Sequence, residues 1–407
     1  MNEANLTRFG PKRFDIEQQP VTYSGTFKAI TAPGQLRLHH DALERIVITI
    51  NGELVPLPDN WQHTNELNIP LSLGKDNTIQ VHATGTANGS VTVRITQVTR
   101  ANLGLLRQGY FGLNTSNLER QRAFYAMLGF IGEIYPAGPE RSTTFAQALG
   151  FLDNYLIHVS LHSLENPPTP PFVDTVQFRE ESYREEPPYE KLNHLGMAYA
   201  TYSTRDLDGD YAYLKDQGVE FVSPPATAPN GERFVFFKEQ DGAYWKLIAT
   251  ADDSKTDSHP NLVRLANTNM NVSDMERSRE FYRLLGFNDS IDASMAGSDE
   301  FAAAHGFDHP IEFIGQDVSF GSGTDRATLQ LRQWQTPFDS AAPYPPPVNH
   351  LGIDRINFYV EDLTATVKIM TDLGFEQLGP IGGIPEIGIV FFFDPDGIKV
   401  QFAGPQN

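Results

Sequence analysis

Asn193-His194-Leu195-Gly196-Met197 recurs as Asn349-His350-Leu351-Gly352-Ile353, with His350 standing 156 residues beyond His194. Working outward, Ser116-Asn117-Leu118-Glu119-Arg120 returns as Ser273-Asp274-Met275-Glu276-Arg277. Both are followed by a Phe-Tyr pair, Phe124-Tyr125 and Phe281-Tyr282, and then by Leu-Gly-Phe. Val176-Gln177-Phe178 likewise matches Arg332-Gln333-Trp334. Landmarks that keep one order and one spacing mark a duplication, which we place at residues 103–257 and 258–407.

Each copy divides again. Its first half reads strand, helix, Leu-Gly-Phe. Its second half starts after the Asn-His-Leu-Gly landmark with another strand and helix. Asp206 and Asp362 stand where helix caps belong, ahead of Leu207/Tyr211/Leu214 and Leu363/Val367/Met370. These sets share a helical face. Ser116/Glu119 and Ser273/Glu276 have capping-box spacing. Each second half closes through a turn, Gln240-Asp241-Gly242 or Asp394-Pro395-Asp396-Gly397, into a last strand.

A strand followed by Ser-Asn/Asp-Leu/Met-Glu-Arg, Phe-Tyr and Leu-Gly-Phe, with a late Asp-Pro-Asp-Gly turn, resembles a module of the vicinal oxygen chelate superfamily. That superfamily includes glyoxalase I, extradiol dioxygenases and bleomycin- and fosfomycin-resistance proteins. The resemblance implies an α+β chain of four βαβββ modules forming two paired cup-shaped sheets, which we number one to four. The expected pairs are modules one with two (103–257) and three with four (258–407). Residues 1–102 read instead as an all-β sandwich, with alternating runs at Arg45–Ile50, Asn77–Ala83 and Ser90–Val98 and an Asn51-Gly52 hairpin signal. His39-His40 is read there as an exposed strand end.

The bulk composition narrows function. A net charge of −20 without a basic stripe opposes nucleic-acid and anionic-membrane binding. No apolar run is long enough to span a bilayer. Met1–Asp15 lacks the apolar core of a signal peptide. The chain has no cysteine, which removes thiolate chemistry and disulfides and is compatible with the cytoplasm, where we expect it. A small-molecule ligand, aromatic or oxygenated, is the expected partner, and a homodimer is left open.

Strand alternation assigns side chains to the cups. On the first strands Tyr110, Tyr199, Thr201, Asn267, Asn269, Arg355, Asn357 and Tyr359 are expected to face inward. The resemblance implies metal ligands at the start of each first strand and on a later strand. By position these are Tyr110, Tyr199, Asn267 and Arg355, then Asp174, Lys246, Gln330 and Gln401. Cations and amides do not make the His and carboxylate set that zinc or iron needs, so no metal is expected at the usual positions. In Leu156–His162 the apolar residues alternate with His158, Ser160 and His162, and both histidines are assigned to the first cup.

Tyr110, His158, His162, Asp174, Tyr199 and Lys246 are therefore the expected acid–base residues. Asn267, Asn269, Gln330, Arg355, Tyr359 and Gln401 are the expected substrate-binding residues of the second cup. His194 and His350 are read as linker residues, and Ser298–His309 as a helix and loop that could lie over a cup. The leading functional expectation is a metal-independent isomerase or lyase with no cofactor. One alternative is a metal-dependent lyase or dioxygenase whose divalent ion sits on His158, His162 and Asp174. The other is a non-catalytic protein that binds a metabolite or antibiotic.

Overall fold

The computed structural model describes residues 1–407 except 18, 135–138, 152–154, 180–189, 252–253, 255–258, 339–347 and 385. The expected boundary at 257/258 lies outside the described residues. The chain divides into two compact units. One is Met1–Asn102 with Glu280–Leu285 and Lys368–Glu376; the other is Leu103–Arg279, Gly286–Val367 and Gln377–Asn407. No helix among the described residues is long and apolar enough to cross a membrane.

In the first unit two long strands, Ala32–Ile50 and Asp76–Ala101, each serve two layers. Their first and second halves take different partners, and the pairing register shifts near Ala42 and Gly85. One layer joins Val21–Lys28 and Glu53–Leu54 to residues 76–85 and 43–50. The other joins Asn2–Ile16 and Glu66–Leu73 to residues 89–101 and 32–41. Ile46, Ile48, Ile79 and Val81 of one layer pack with Leu36, Leu38, Val91 and Val93 of the other in a single buried core. This is the expected sandwich, although Asn77–Ala83 and Ser90–Val98 belong to one continuous strand rather than two. Asn51 and Gly52 have φ of 54° and 82°, the left-handed pair that a tight hairpin requires. His40 is buried, not exposed, with its ring against Trp61 and Nε2 3.2 Å from the Trp61 carbonyl oxygen.

The second unit holds four modules in two sheets. One sheet runs Gly382–Ile384, Ile387–Phe393, Lys399–Gly404, Gly352–Val360, Leu105–Asn114, Phe172–Phe178, Tyr155–Ser163, Gly132–Ile134. The other runs Glu220–Phe221, Arg233–Lys238, Tyr244–Ala249, Tyr199–Thr204, Leu262–Asn271, Ala327–Thr336, Glu312–Phe320, Asp289–Asp292. Module one therefore shares a sheet with module four, and module two with module three. The cups are two paired sheets as expected, but the pairs cross the duplication instead of lying within each half.

The repeated landmarks explain that choice. At each junction the two first strands run antiparallel. Asn271 of module three donates from Nδ2 to the carbonyls of Leu192 (2.7 Å) and His194 (2.6 Å), in the lead-in to module two. Asn114 of module one does the same for Val348 (2.9 Å) and His350 (2.8 Å), in the lead-in to module four. The Asn-His-Leu-Gly motif is thus the segment that an asparagine of the neighbouring module clamps, which keeps its buried backbone carbonyls paired. Modules one and two meet instead through their helix sides. Phe111, Leu113, Phe124 and Tyr125 share one core with Tyr202, Leu207, Leu214, Phe237 and Trp245.

The helix starts differ from the expectation in one respect. Asn117 and Asp274, not Ser116 and Ser273, cap their helices, accepting from the Arg120 and Arg277 amides. The serines bind the closing turn of the following module: Ser116 Oγ donates to Asp241 and Ser273 Oγ to Asp396, both at 2.5 Å. Asp206 and Asp362 are caps as expected, accepting from the Gly209 and Ala365 amides.

Replacing Asn271 with Ala leaves the Leu192 and His194 carbonyls without donors and the buried Trp334 indole N–H without its acceptor, and is expected to cost about 2–4 kcal/mol. Urea unfolding of the intact chain, followed by tryptophan fluorescence, measures that loss.

Candidate functional site

Cross-duplication pairing redistributes the predicted site residues. Tyr110 and Asp174 share a cup with Arg355, Asn357, Tyr359, Lys399 and Gln401. Tyr199, Thr201 and Lys246 share the other with Asn267, Asn269 and Gln330. The register fixes these neighbourhoods: Asn357 lies across from Tyr110 and beside Gln401, and Thr201 lies across from Asn267 and beside Lys246. The expected six-residue acid–base cluster is therefore split between two sheets.

His158 and His162 leave the cups altogether. His158 pairs with Gln177 and Leu161 with Asp174, so the histidines stand on the opposite face from Asp174. Gln177 marks the helix side, since its amide contacts the start of the Leu118–Met127 helix. The His162 ring lies 4.5 Å from the Tyr125 ring of that helix. Ile157 and Val159 instead pack in the cup with Ala146, Val176 and Phe178. Both faces of this sheet are covered, so the apolar side of the alternation did not mark the helix side. The metal alternative on His158, His162 and Asp174 fails for the same reason. Among the described residues, no three His, Cys, Asp or Glu side chains converge to hold an ion.

In the cup of modules one and four, the four ligand positions of the family resemblance are filled by a closed network. Tyr110 donates its hydroxyl proton to Gln401 Oε1. Arg355 Nη2 lies 2.8 Å from Asp174 Oδ2, and Arg355 Nη1 lies 2.5 Å from Asp354 Oδ1 and 2.9 Å from Asn114 Oδ1. Asp354 also holds Lys399 at 3.1 Å. The pairing register shifts between Ile353 and Arg355, which lets consecutive charged residues join one network. Gly112 is required beneath them: a Cβ there would stand 2.3 Å from Arg355 Cγ.

Two cations and two carboxylates, all buried, make this network neutral. Burial alone would lower the pKa of the Arg355 guanidinium, but Asp354 and Asp174 outweigh it and keep it charged. Burial pushes the Asp174 carboxyl up, with Arg355 opposing. A divalent ion does not fit here. The positions that would hold it carry a phenol, an amide, an occupied carboxylate and a guanidinium, and the guanidinium would repel it.

The cup of modules two and three differs. Lys246 Nζ is 2.6 Å from Glu232 Oε1 and lies 4.9 Å from the Phe234 ring centroid. Arg332 Nη2 is 2.8 Å from Asp317 Oδ1. The Tyr199 hydroxyl donates to Gln330 Oε1 at 3.4 Å. Burial raises the Tyr199 phenol, which also feels Arg332, Asp317 and Glu232. The Asp299–Ala304 helix of module three lies on this cup face. Phe301, Phe313 and Trp334 pack there with Phe234, Phe236 and Tyr199. His305 ends the helix with its ring 5.0 Å from Phe236, and burial lowers its pKa to about 3, so it is neutral. The segment read as a helix and loop that could lie over a cup does form a helix, Asp299–Ala304, and its apolar residues pack into the cup of modules two and three.

Within this cup, Thr201 Oγ1, Asn267 Oδ1 and Asn269 Oδ1 are buried without a hydrogen-bond partner. Asn267 also borders a small open niche between the first strands of modules one and three, beside Arg107, Gln108, Arg326 and Thr328. Alternation had named Asn267 and Asn269. The contribution of Glu232, Asp317 and Arg332 was missed, since their convergence depends on strand partners that no local pattern declares.

Two expectations follow from this geometry. Arg355→Met strands Asp174 in the interior, while Asp354 keeps Lys399, and is expected to cost about 3–5 kcal/mol, whereas Asp174→Leu/Arg355→Met together lose less; chemical denaturation of the two variants checks this. For His162, burial lowers the pKa to about 4, below its ordinary 6.5. Its folded pKa is depressed, so the stability it contributes is present above 6.5 and is lost as pH falls toward 4. The wild type should lose on the order of 2–3 kcal/mol more than His162→Phe across that window, read from urea midpoints at pH 7 and pH 4.

The family model for the Glyoxalase/Bleomycin resistance protein/Dioxygenase superfamily matches residues 107–247 and 264–402. No curated protein sequence matches the chain. Among solved structures, glyoxalase I from Zea mays is similar at 16% identity and a TM-score of 0.46, covering 73% of this chain and 92% of its own. A glyoxalase family protein from Bacillus cereus is similar at 21% identity and a TM-score of 0.33, over 38% of this chain and 100% of its own. A variant of 4-hydroxymandelate synthase from Streptomyces coelicolor shows 11% identity and a TM-score of 0.27, over 75% of this chain and 94% of its own. The family match covers modules one to four, and the chain belongs to the Glyoxalase/Bleomycin resistance protein/Dioxygenase superfamily.

Proposed function

We propose that this chain binds a small oxygenated molecule, without a metal, in the cup of modules two and three. The observation that carries the reading is the set of buried, unpartnered oxygens on Thr201, Asn267 and Asn269. A buried polar atom without a partner costs about 1–3 kcal/mol. Three on neighbouring strands of one cup face are what a site looks like when its ligand supplies the missing hydrogen bonds. Tyr199, Lys246 and Gln330 stand around them.

The cup of modules one and four serves on this reading as a joint. Its ligand positions bind one another, and its charges cancel. The superfamily's name spans glyoxalases, dioxygenases and resistance proteins, so both enzymes and binders are open to a member. The isomerase or lyase reading rested on His158, His162, Asp174 and Tyr110 converging in one cup, and the histidines face the side of the sheet opposite Asp174 and Tyr110. Binding is the function that needs only the groups the cup does contain.

Replacing Asn267 with Leu separates a binding role from a structural one. If the amide is held for a ligand, the ligand-free variant should be as stable as the wild type or gain about 1 kcal/mol. It should also lose the thermal shifts that small oxygenated compounds give the wild type. A variant destabilised by more than about 1 kcal/mol would assign the amide to the scaffold instead.

A further inference from the structure

The two most buried cations of the cup of modules two and three are already neutralised. Lys246 Nζ sits 2.6 Å from Glu232, and Arg332 sits 2.8 Å from Asp317. The cations are nearly buried, at 9% and 5% side-chain exposure, while their carboxylates reach the rim at 27% and 28%. Of the other titratable groups on this face, His305 is neutral, with its Nδ1 2.8 Å from the Phe301 carbonyl oxygen, burial raises the Tyr199 phenol, and Lys238 lies over the Tyr244 ring at 5.0 Å. The four charges sum to zero, and neither cation lacks a counter-charge. An anion entering between these pairs would lose its hydration and find both buried cations already held by carboxylates, which is a large cost in a buried site.

The unpartnered atoms point the same way. They are one hydroxyl and two amide oxygens, which are mostly acceptors. Acceptors are met by donors, and a carboxylate or phosphate has none to give. Phe234, Phe236, Phe301 and Trp334 form an apolar wall beside them. On the binding reading above, we infer that this cup selects an uncharged ligand that presents a hydroxyl or amide donor beside an apolar face, with Glu232 and Asp317 as the residues that exclude anions. They act through Lys246 and Arg332, so they are specificity-determining positioning residues.

Benzamide and benzoate, nearly the same in shape, test the inference on the full chain. Calorimetric titration and thermal shift are run on the wild type and on Glu232→Gln, which frees Lys246. The wild type is expected to favour benzamide over benzoate, and Glu232→Gln to bind benzoate about tenfold more tightly than the wild type does, a factor set by one partly desolvated charge. Benzamide affinity should be little changed by the substitution, which a general loosening of the cup would not produce. Asp317→Asn frees Arg332 and repeats the test where Glu232→Gln does not fold. Equal or tighter benzoate binding by the wild type, or no gain of benzoate binding in either folded variant, overturns the inference. Failure of the binding reading shows separately, as destabilisation of Asn267→Leu.

Discussion

The antiparallel pairing of Leu105–Asn114 with Gly352–Val360, and of Leu262–Asn271 with Tyr199–Thr204, decides which side chains can ever meet. Every chemical statement about the cups depends on it. Had each duplicated half closed on itself, Tyr110 and Lys246 would share a cavity. With the pairs crossed, Tyr110 meets Gln401 and Lys246 meets Thr201. The asparagine clamps at Asn114 and Asn271 hold the crossed arrangement by capturing the lead-in of the partner module. Each clamp exchanges hydrogen bonds with buried backbone, so a slip of register would orphan donor and acceptors together.

The same pairing gives the two cups opposite characters. Around Arg355 it gathers Asp174, Asn114 and, through the register shift, Asp354, and the result is a charge-neutral joint, with the Asn357 amide buried beside it without a partner. Around Thr201 it gathers amides whose oxygens stay unmet, with each cation capped by a carboxylate from the rim. Paired buried charges stiffen a junction, and unmet oxygens on neighbouring strands hold stability in reserve for a guest that completes them.

Much of the scaffold was legible in the sequence. Landmark spacing exposed four modules, and alternation placed Tyr110, Asn267, Asn269, Arg355 and Asn357 on cup faces. Partner choice was not legible, because a duplicated chain offers each module more than one equivalent edge and the deciding contacts are long-range. The second failure was local. Ile157, Val159 and Leu161 looked like a helix-facing set, but in module one the cup face is itself covered by an apolar segment containing Ala146. Where both faces of a strand are buried, periodicity reports two faces without naming them. His158 and His162 went to the wrong side for that reason, and the acid–base expectation went with them.

Electron density in the cup of modules two and three, from crystals of the full chain at high resolution, tests the account most directly. The account predicts ordered solvent or organic ligand atoms within hydrogen-bonding distance of Thr201 Oγ1 and of the Asn267 and Asn269 amides, with Lys246 still on Glu232 and Arg332 on Asp317. A metal ion coordinated in that cup, or a dry cup in which the three side chains satisfy one another, would contradict it.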